Sequence, residues 1–478
     1  MIHRLGAALD MEQQDRNGKQ TGRKPQVRST SPDALPLTIR ERTAFALCTA
    51  AAVFFFVCTV IRAVTTNITD DEAATALLYV NGLRLNDFHR LWEIFTTCRA
   101  NNHWLNTILI RISTDLAGTI FSEAAFRMPA ILSGAAYILL CIAALWKRTV
   151  SALCFIFLTC NFYLNEFMGL ARGYGLANTF LFAAVLGYLW WRKAAPEEKD
   201  YEGRVLSLLL LLTLASAANT VCLLAYPSFG LLILYRLVKD HRLGRFLKRH
   251  FIGVLLFAAM TALLLSYHLG ASSRDPALYV GTEGFFRSCI LTYTAMIVTN
   301  QRFQMLLLAV LAVGTAVSLA VLLRDRSALK TGEGAARFDA FAMLVIFTAV
   351  NLLSGVIFQK GYITGRVTVP FWSMVVCGFD GLFLDARQTV RQTAPNPQRD
   401  RIAVLLEAAA CAAVILLCLK KTSLTSTSEW AWDYGTREKV EESVRRTGSY
   451  PEREIQDYAD VYYMAKCGLD VSRYTDID

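Results

Sequence analysis

Residues 44–64 read AFALCTAAAVFFFVCTVIRAV, twenty-one positions with a single charge, Arg62. A hydrocarbon core about 30 Å thick is crossed by roughly 20 residues of α-helix, within which every backbone polar group must find its partner. The run is therefore read as a membrane span. Working outward from it, ten further runs follow at 128–146, 149–164, 175–191, 205–224, 227–238, 252–269, 305–323, 341–358, 368–385 and 402–419. The expected fold is an all-α polytopic membrane protein with about eleven transmembrane helices.

Composition points the same way. The 478 residues are 54% apolar and 18% charged, whereas ordinary soluble domains are about 45–50% and about 25%. A cytosolic enzyme, a disordered chain and a disulfide-built secreted domain are all excluded. Cys48, Cys58, Cys141, Cys154, Cys160, Cys222, Cys377, Cys411 and Cys418 lie inside apolar runs, where a thiol is a small hydrophobe. Only Cys98, Cys289 and Cys467 remain, without metal-type spacing.

Residues 1–43 are polar, with eight Lys or Arg and five Asp or Glu, and lack the pattern of a cleaved signal peptide. The first span is thus expected to stay as an anchor. If the amino terminus is cytoplasmic, the inner segments carry 28 Lys or Arg and the outer loops 11, the asymmetry that cytoplasmic loops prefer. Eleven spans then leave residues 420–478 on the far side. The net charge of +10 follows from that inner surplus. It fits attraction to anionic lipid head groups and not a nucleic-acid groove.

The loop 65–127 is too long for a plain connection. Two surface helices are expected in it. One runs from Asp70 to Asn81, with acids suited to the positive end of a helix dipole. The other opens at Asn102, with Trp104, Leu105, Ile108, Leu109, Ile112 and Leu116 on one side and Asn106, Arg111, Ser113 and Asp115 on the other. That periodicity predicts a helix lying along the membrane interface. Loop 270–304 is expected on the surface as well, and Arg111 and Asp115 as a local pair.

The most specific chemical cluster is Asp70-Asp71-Glu72. Three consecutive carboxylates repel one another and call for a cation, a metal or a helix terminus nearby. Capping by Asp70, with Asp71 and Glu72 in the first turn, is the plain alternative. On the same outer side fall His103, Arg172, Tyr174, Lys360 and Arg366. Cations at outer helix ends run against the orientation rule, and guanidinium offers a fork of donors matched to phosphate. Snorkelling toward head groups is the alternative for Lys360 above all. His103 alone reads as well as an interface residue. Asp380, Asp385 and Glu407 are read as span boundaries. Asn67-Ile68-Thr69 matches a glycosylation sequon. A P-loop, GxGxxG, HExxH and GxSxG are absent, which leaves no sign of an ATP-driven pump or membrane protease.

In the tail 420–478, residues 436–446 and 451–467 are expected to be helical. Trp430 and Trp432 are expected to anchor at the interface. A cap over the site, an acceptor-docking element and plain solvated packing all remain open for it.

Taken together, the chain resembles the GT-C superfamily of membrane glycosyltransferases, nearest the protein O-mannosyltransferase and aminoarabinose transferase type. The carrying features are Asp71-Glu72-Ala73, the helix opening at Asn101-Asn102-His103, and Glu123-Ala124-Ala125-Phe126-Arg127-Met128-Pro129-Ala130, similar to an Arg-Leu-Pro span entry. Ala171-Arg172-Gly173-Tyr174 and Arg366 with Pro370 complete them. The likeness covers residues 44–385. The chain departs from it at Asn102-His103-Trp104, where many relatives have His-Pro-Pro, and in 420–478, which matches no motif.

The resemblance implies a GT-C-like catalytic domain over 44–419, while the charge distribution and the span count leave a polar cytoplasmic tail over 1–43 and a small extracytoplasmic segment over 420–478. It implies transfer of a sugar from a polyprenyl-phosphate donor to a glycan, lipid or protein acceptor, in a bacterial inner membrane or, in a eukaryote, the endoplasmic reticulum. Asp71 matches the essential acid and Arg366 a late arginine near the carrier phosphate. Asp70 or Glu72 would assist Asp71, or the three would hold a divalent cation, Mg²⁺ or Mn²⁺. Arg172, Arg366 and Lys360 would bind the donor phosphate, with His103 and Tyr174 lining the site. The alternatives are a polytopic transporter or lipid flippase, and a polymerase or ligase of lipid-linked glycans.

Overall fold

The computed structural model describes residues 39–96, 102–274, 280–358 and 361–475. The apolar runs become helices because lipid offers their backbone no competing partners. In chain order the helices are α1 (Ile39–Thr65), α2 (Asp70–Ala74, continued by the π-helical Thr75–Val80), α3 (Phe88–Thr96), α4 (Trp104–Ala117), α5 (Glu123–Trp146), α6 (Ala152–Thr159), α7 (Phe162–Phe167) and α8 (Tyr174–Lys193). Next come α9 (Tyr201–Ala218), α10 (Tyr226–Lys239, preceded by the 3-10 turn Thr220–Ala225), α11 (Leu243–Arg274), α12 (Leu291–Ala295), α13 (Gln301–Arg324) and α14 (Gly332–Phe358). The 3-10 segment Gly365–Phe371 leads into α15 (Trp372–Thr393), followed by α16 (Pro397–Lys421), α17 (Thr436–Thr447) and α18 (Tyr458–Lys466). Two short strands, β1 (Val280–Gly281) and β2 (Tyr362–Ile363), pair antiparallel with Val280 opposite Ile363.

The protein is an all-α multi-pass membrane protein, and nine stretches among the described residues are long and apolar enough to cross a bilayer. Eleven were expected, and the two that fall short do so for different reasons. The run 149–164 is broken: α6 ends at Cys160, and Asn161 caps α7 by accepting from the Leu164 N–H. The broken pair still connects two distant levels. Ser151 N donates to Asp380 Oδ2 at 3.0 Å, while the Asn165 carbonyl accepts from Arg62 at the end of α1. The run 175–191 is one helix, α8, but fourteen of its twenty residues are buried. A helix walled off from lipid by other helices can carry Asn178, Thr179 and Tyr188, so hydropathy undercounts it.

In α11, α13 and α16 only 11% of the most apolar window is covered by protein, against 67% for the stretch through α15. The core therefore lies around α8 and α15, and those three helices form the lipid-facing rim. A second, separate core joins the first loop to the tail: Ile68, Leu77, Val80, Ile110 and Phe126 pack with Val440, Tyr450, Val461, Tyr462 and Met464. Residues Arg42–Asp478 belong to one unit.

The periodicity of α4 is real, but its inward side mixes apolar and polar residues. Its buried side is Trp104, Asn106, Thr107, Ile110 and Thr114, while Ile112 and Leu116 are exposed. Asn106 donates to the Ala171 carbonyl at 2.9 Å, and Arg111 pairs with Asp115.

Candidate functional site

The acidic motif opens α2 on a capping box. Thr69, not Asp70, is the cap: its hydroxyl accepts from the Glu72 N–H, and the Glu72 carboxylate accepts from the Thr69 N–H. This reciprocal pairing satisfies two helix-end donors and aims three successive carboxylates in three directions.

Glu72 points inward and is fully buried. Its Oε2 accepts from Arg127 Nη2 at 2.6 Å, and its Oε1 from Arg127 Nε at 2.9 Å and from Ala171 N at 2.7 Å. Arg127, equally buried, also donates to the carbonyls of Ala63, Thr66 and Asn67. Burial alone would raise the Glu72 pKa, but Arg127 outweighs it and holds the carboxyl below its ordinary value. This saturated pair ties α1, α2, α5 and the turn before α8 together. Glu72 has no coordination left for substrate or metal, so its expected part in catalysis gives way to a structural one.

Asp70 faces the tail. Its Oδ1 accepts from Tyr458 N at 2.8 Å, and its own N–H donates to Asp433 Oδ2 at 2.8 Å. Burial pushes its carboxyl pKa up, with Asp457 and Asp71 adding repulsion and the Tyr458 N–H opposing. The three acids thus have three separate sets of partners. Among the described residues no group of three His, Cys, Asp or Glu could hold a metal ion, and the donor set does not fit the expected Mg²⁺ or Mn²⁺.

Asp71 is the acid that meets the cations. Its Oδ2 lies 2.8 Å from Arg366 Nη1 and 3.2 Å from Arg172 Nη2, with 14% of its side chain exposed. Arg172 is wholly buried and donates from Nη1 to the Asp71 carbonyl at 3.1 Å and to Thr75 Oγ1 at 3.2 Å. A turn with a left-handed glycine presents it. Gly173 has φ +71°, and a Cβ there would come within 2.5 Å of the Ala218 carbonyl oxygen and 3.1 Å of His103 Cβ. Only glycine fits.

Arg366 comes from 295 residues downstream, in the 3-10 segment after β2. Its guanidinium lies 4.9 Å from the centre of the Trp430 ring, a cation–π contact. Trp430 is therefore buried over Arg366, not anchored at a membrane interface; Trp432 is the exposed one. The strap that carries Trp430 is pinned by Glu166, which accepts from Ser428 N, Ser428 Oγ and Glu429 N, and by Tyr163, which donates to Glu429. The tail, for which solvated packing was one reading, closes over the acidic helix.

His103 is buried, edge-on to Tyr174 with ring centres 5.3 Å apart. Burial first, then Arg172 and Arg366, hold its pKa well below the usual histidine range, so the ring is neutral. Its Nε2 has no hydrogen-bond partner among the described residues. Lys360 and Asn101, with the tail 1–38 and Cys98, lie outside the described residues. The Asn67 amide donates to the Asp433 carbonyl, and Ile68 and Thr69 are buried, which makes the sequon a packed turn.

Asp71, Arg172, Arg366, His103 and Tyr174 thus share one locality, from which Glu72 is sealed and to which Asp70 turns its back. Glu166 was not singled out from sequence, Arg127 entered only within the span-entry motif, and Trp430 only as an interface anchor. A cation five residues into the helix entry, an acid just past an apolar run and a tryptophan after a span were the available signals. Chemically, the cluster offers two guanidiniums for an anion, a carboxylate for a proton and a neutral imidazole for a hydroxyl. No protein-family model matches the chain, and no curated protein matches it.

Proposed function

We propose that the protein is a membrane glycosyltransferase that takes a sugar from a polyprenyl-phosphate carrier on the outward face, with its amino terminus cytoplasmic and its carboxyl-terminal tail outside. The observation that carries this reading is the meeting of Asp71 with Arg172 and Arg366 at 3.2 and 2.8 Å. Had these groups stood far apart, the sequence motifs would have had no common site. The order of the motifs along the chain, similar to the GT-C superfamily, and the 28-to-11 distribution of Lys and Arg add support.

The donor phosphate competes with Asp71 for both guanidiniums and so frees the carboxylate. An acceptor hydroxyl or amine then attacks the anomeric carbon as the bond to the carrier oxygen breaks. The acceptor proton passes to Asp71, and the leaving electron pair stays on phosphate, where Arg172 and Arg366 balance the charge. One displacement with one base inverts the anomeric centre, so no second carboxylate is required. Trp430 holds Arg366 in register, and His103 offers Nε2 to a sugar or acceptor hydroxyl.

Purified protein in detergent, given labelled polyprenyl-phosphate sugars and candidate acceptors, tests this directly. Asp71→Asn and Arg366→Ala, in protein that still folds and inserts, should each lower transfer by about 10²–10⁴-fold. Transfer at the unsubstituted rate removes both residues from the site. In proteoliposomes, movement of solute or lipid without release of free polyprenyl phosphate would replace the transferase by a transporter.

A further inference from the structure

A second feature lies at the other end of α11 and owes nothing to the transferase reading. Near its carboxyl end, Tyr267 packs on Trp104 with ring centres 4.7 Å apart and donates to the Asn102 carbonyl, beside His103. Lys248 stands nineteen residues earlier, about 28 Å away along the helix, which is the thickness of a hydrocarbon core.

At that end α11 is bent. His250 leaves helical geometry with φ −116° and ψ 24°. Below the bend the helix is drawn against α9: a Cβ on Gly253 would meet Leu206 Cδ1 at 2.6 Å. Around the bend lies an open groove of about 650 Å³ lined by Leu247, Lys248, Phe251, Val254, Leu255 and Ala258. All of its lining is apolar except Lys248. The cations around it differ in engagement. Arg242 and Arg245 reach Glu202 at 3.5 and 4.0 Å, whereas Lys248 and Arg249 are exposed and make no ion pair among the described residues.

We infer that this groove binds one anionic glycerophospholipid, its phosphate against Lys248 and Arg249 and one acyl chain along Phe251, Leu255 and Ala258. Charge complementarity selects an anionic head, and the apolar floor selects a chain. The groove runs from Leu247 to Ala258, eleven helical steps or about 17 Å, roughly half the hydrocarbon thickness of a bilayer. That is the reach of an acyl chain in one leaflet and is short for a polyprenyl carrier.

The test uses the full-length protein in nanodiscs of phosphatidylcholine doped with photoactivatable phosphatidylglycerol, and maps crosslinked peptides by mass spectrometry. Crosslinks are expected within residues 247–258 from phosphatidylglycerol. Lys248→Gln with Arg249→Gln, both exposed, should weaken capture by about tenfold or more, since each basic group near an anionic surface contributes on the order of fivefold. Ala258→Trp, which fills the groove and leaves the charges in place, should abolish the crosslinks as well. Equal labelling of the segment by a photoactivatable phosphatidylcholine means ordinary lipid contact and overturns the inference. Labelling by a polyprenyl-phosphate probe in preference to phosphatidylglycerol overturns it too.

Discussion

Asp71 and Glu72 are neighbours in sequence and members of the same helical turn, yet they occupy opposite kinds of environment. Glu72 is sealed, with one arginine and three further donors taking up its lone pairs. Asp71 is partly open and faces two guanidiniums from separate segments. The first arrangement is suited to permanence, because every polar atom is already satisfied. The second suits exchange, because an incoming anion can take over contacts that a carboxylate now makes.

The sharpest way to break this contrast is to remove each carboxylate in turn. Glu72→Ala should cost about 3–5 kcal/mol of stability, since it leaves Arg127 buried without its counter-charge. Asp71→Asn should cost much less while removing activity. Thermal denaturation in detergent measures both, and equal losses would erase the distinction. Next in size, Gly173→Ala should destabilise by about 1–3 kcal/mol from the left-handed backbone alone, with the Ala218 contact adding to it. Because the turn presents Arg172, transfer should fall further than stability does.

A smaller effect concerns pH. Burial pushes Asp433 up to about 8, with the neighbouring acids Asp457 and Asp70 adding to the rise and the Asp70 N–H opposing it. The native carboxyl then keeps its proton from about pH 4, where an unfolded aspartate loses it, up to about 8. The native state binds more protons throughout that window, so this group's contribution to stability declines as pH rises from 4 to 8 and is flat beyond. Glu72, held low by Arg127, acts in the opposite sense and loses its contribution only as acid is added. Asp433→Asn should flatten the fall of melting temperature between pH 5 and 8; an unchanged slope assigns it elsewhere. Smallest of all, Asp115→Ala, which breaks an exposed i,i+4 pair with Arg111, should cost only a few tenths of a kcal/mol. That value calibrates how much of the Glu72 effect comes from burial.

Much was legible along the chain. Long apolar runs marked the spans, the 3.6-residue period marked α4, and polar, acid-rich stretches marked α2 and the tail helices. What periodicity could not say is which face of α4 looks inward. The stripe is split: Trp104 packs inward together with Asn106, Thr107 and Ile110, whereas Ile112 and Leu116 lie exposed. Nor could it show that α8 is buried on nearly every side, or that Asn161 interrupts the run before it.

The site followed the same division. The sequence by itself determined that acids and cations would gather at one set of helix ends, because charges are excluded from hydrocarbon and must collect where the apolar runs stop. Only the tertiary structure decided which acid meets which cation. Glu72 finds its partners 55 and 99 residues away, and Asp71 finds Arg366 across almost the whole membrane domain. Such pairings depend on how helices stack, and stacking is governed by shape at contacts that no local pattern encodes.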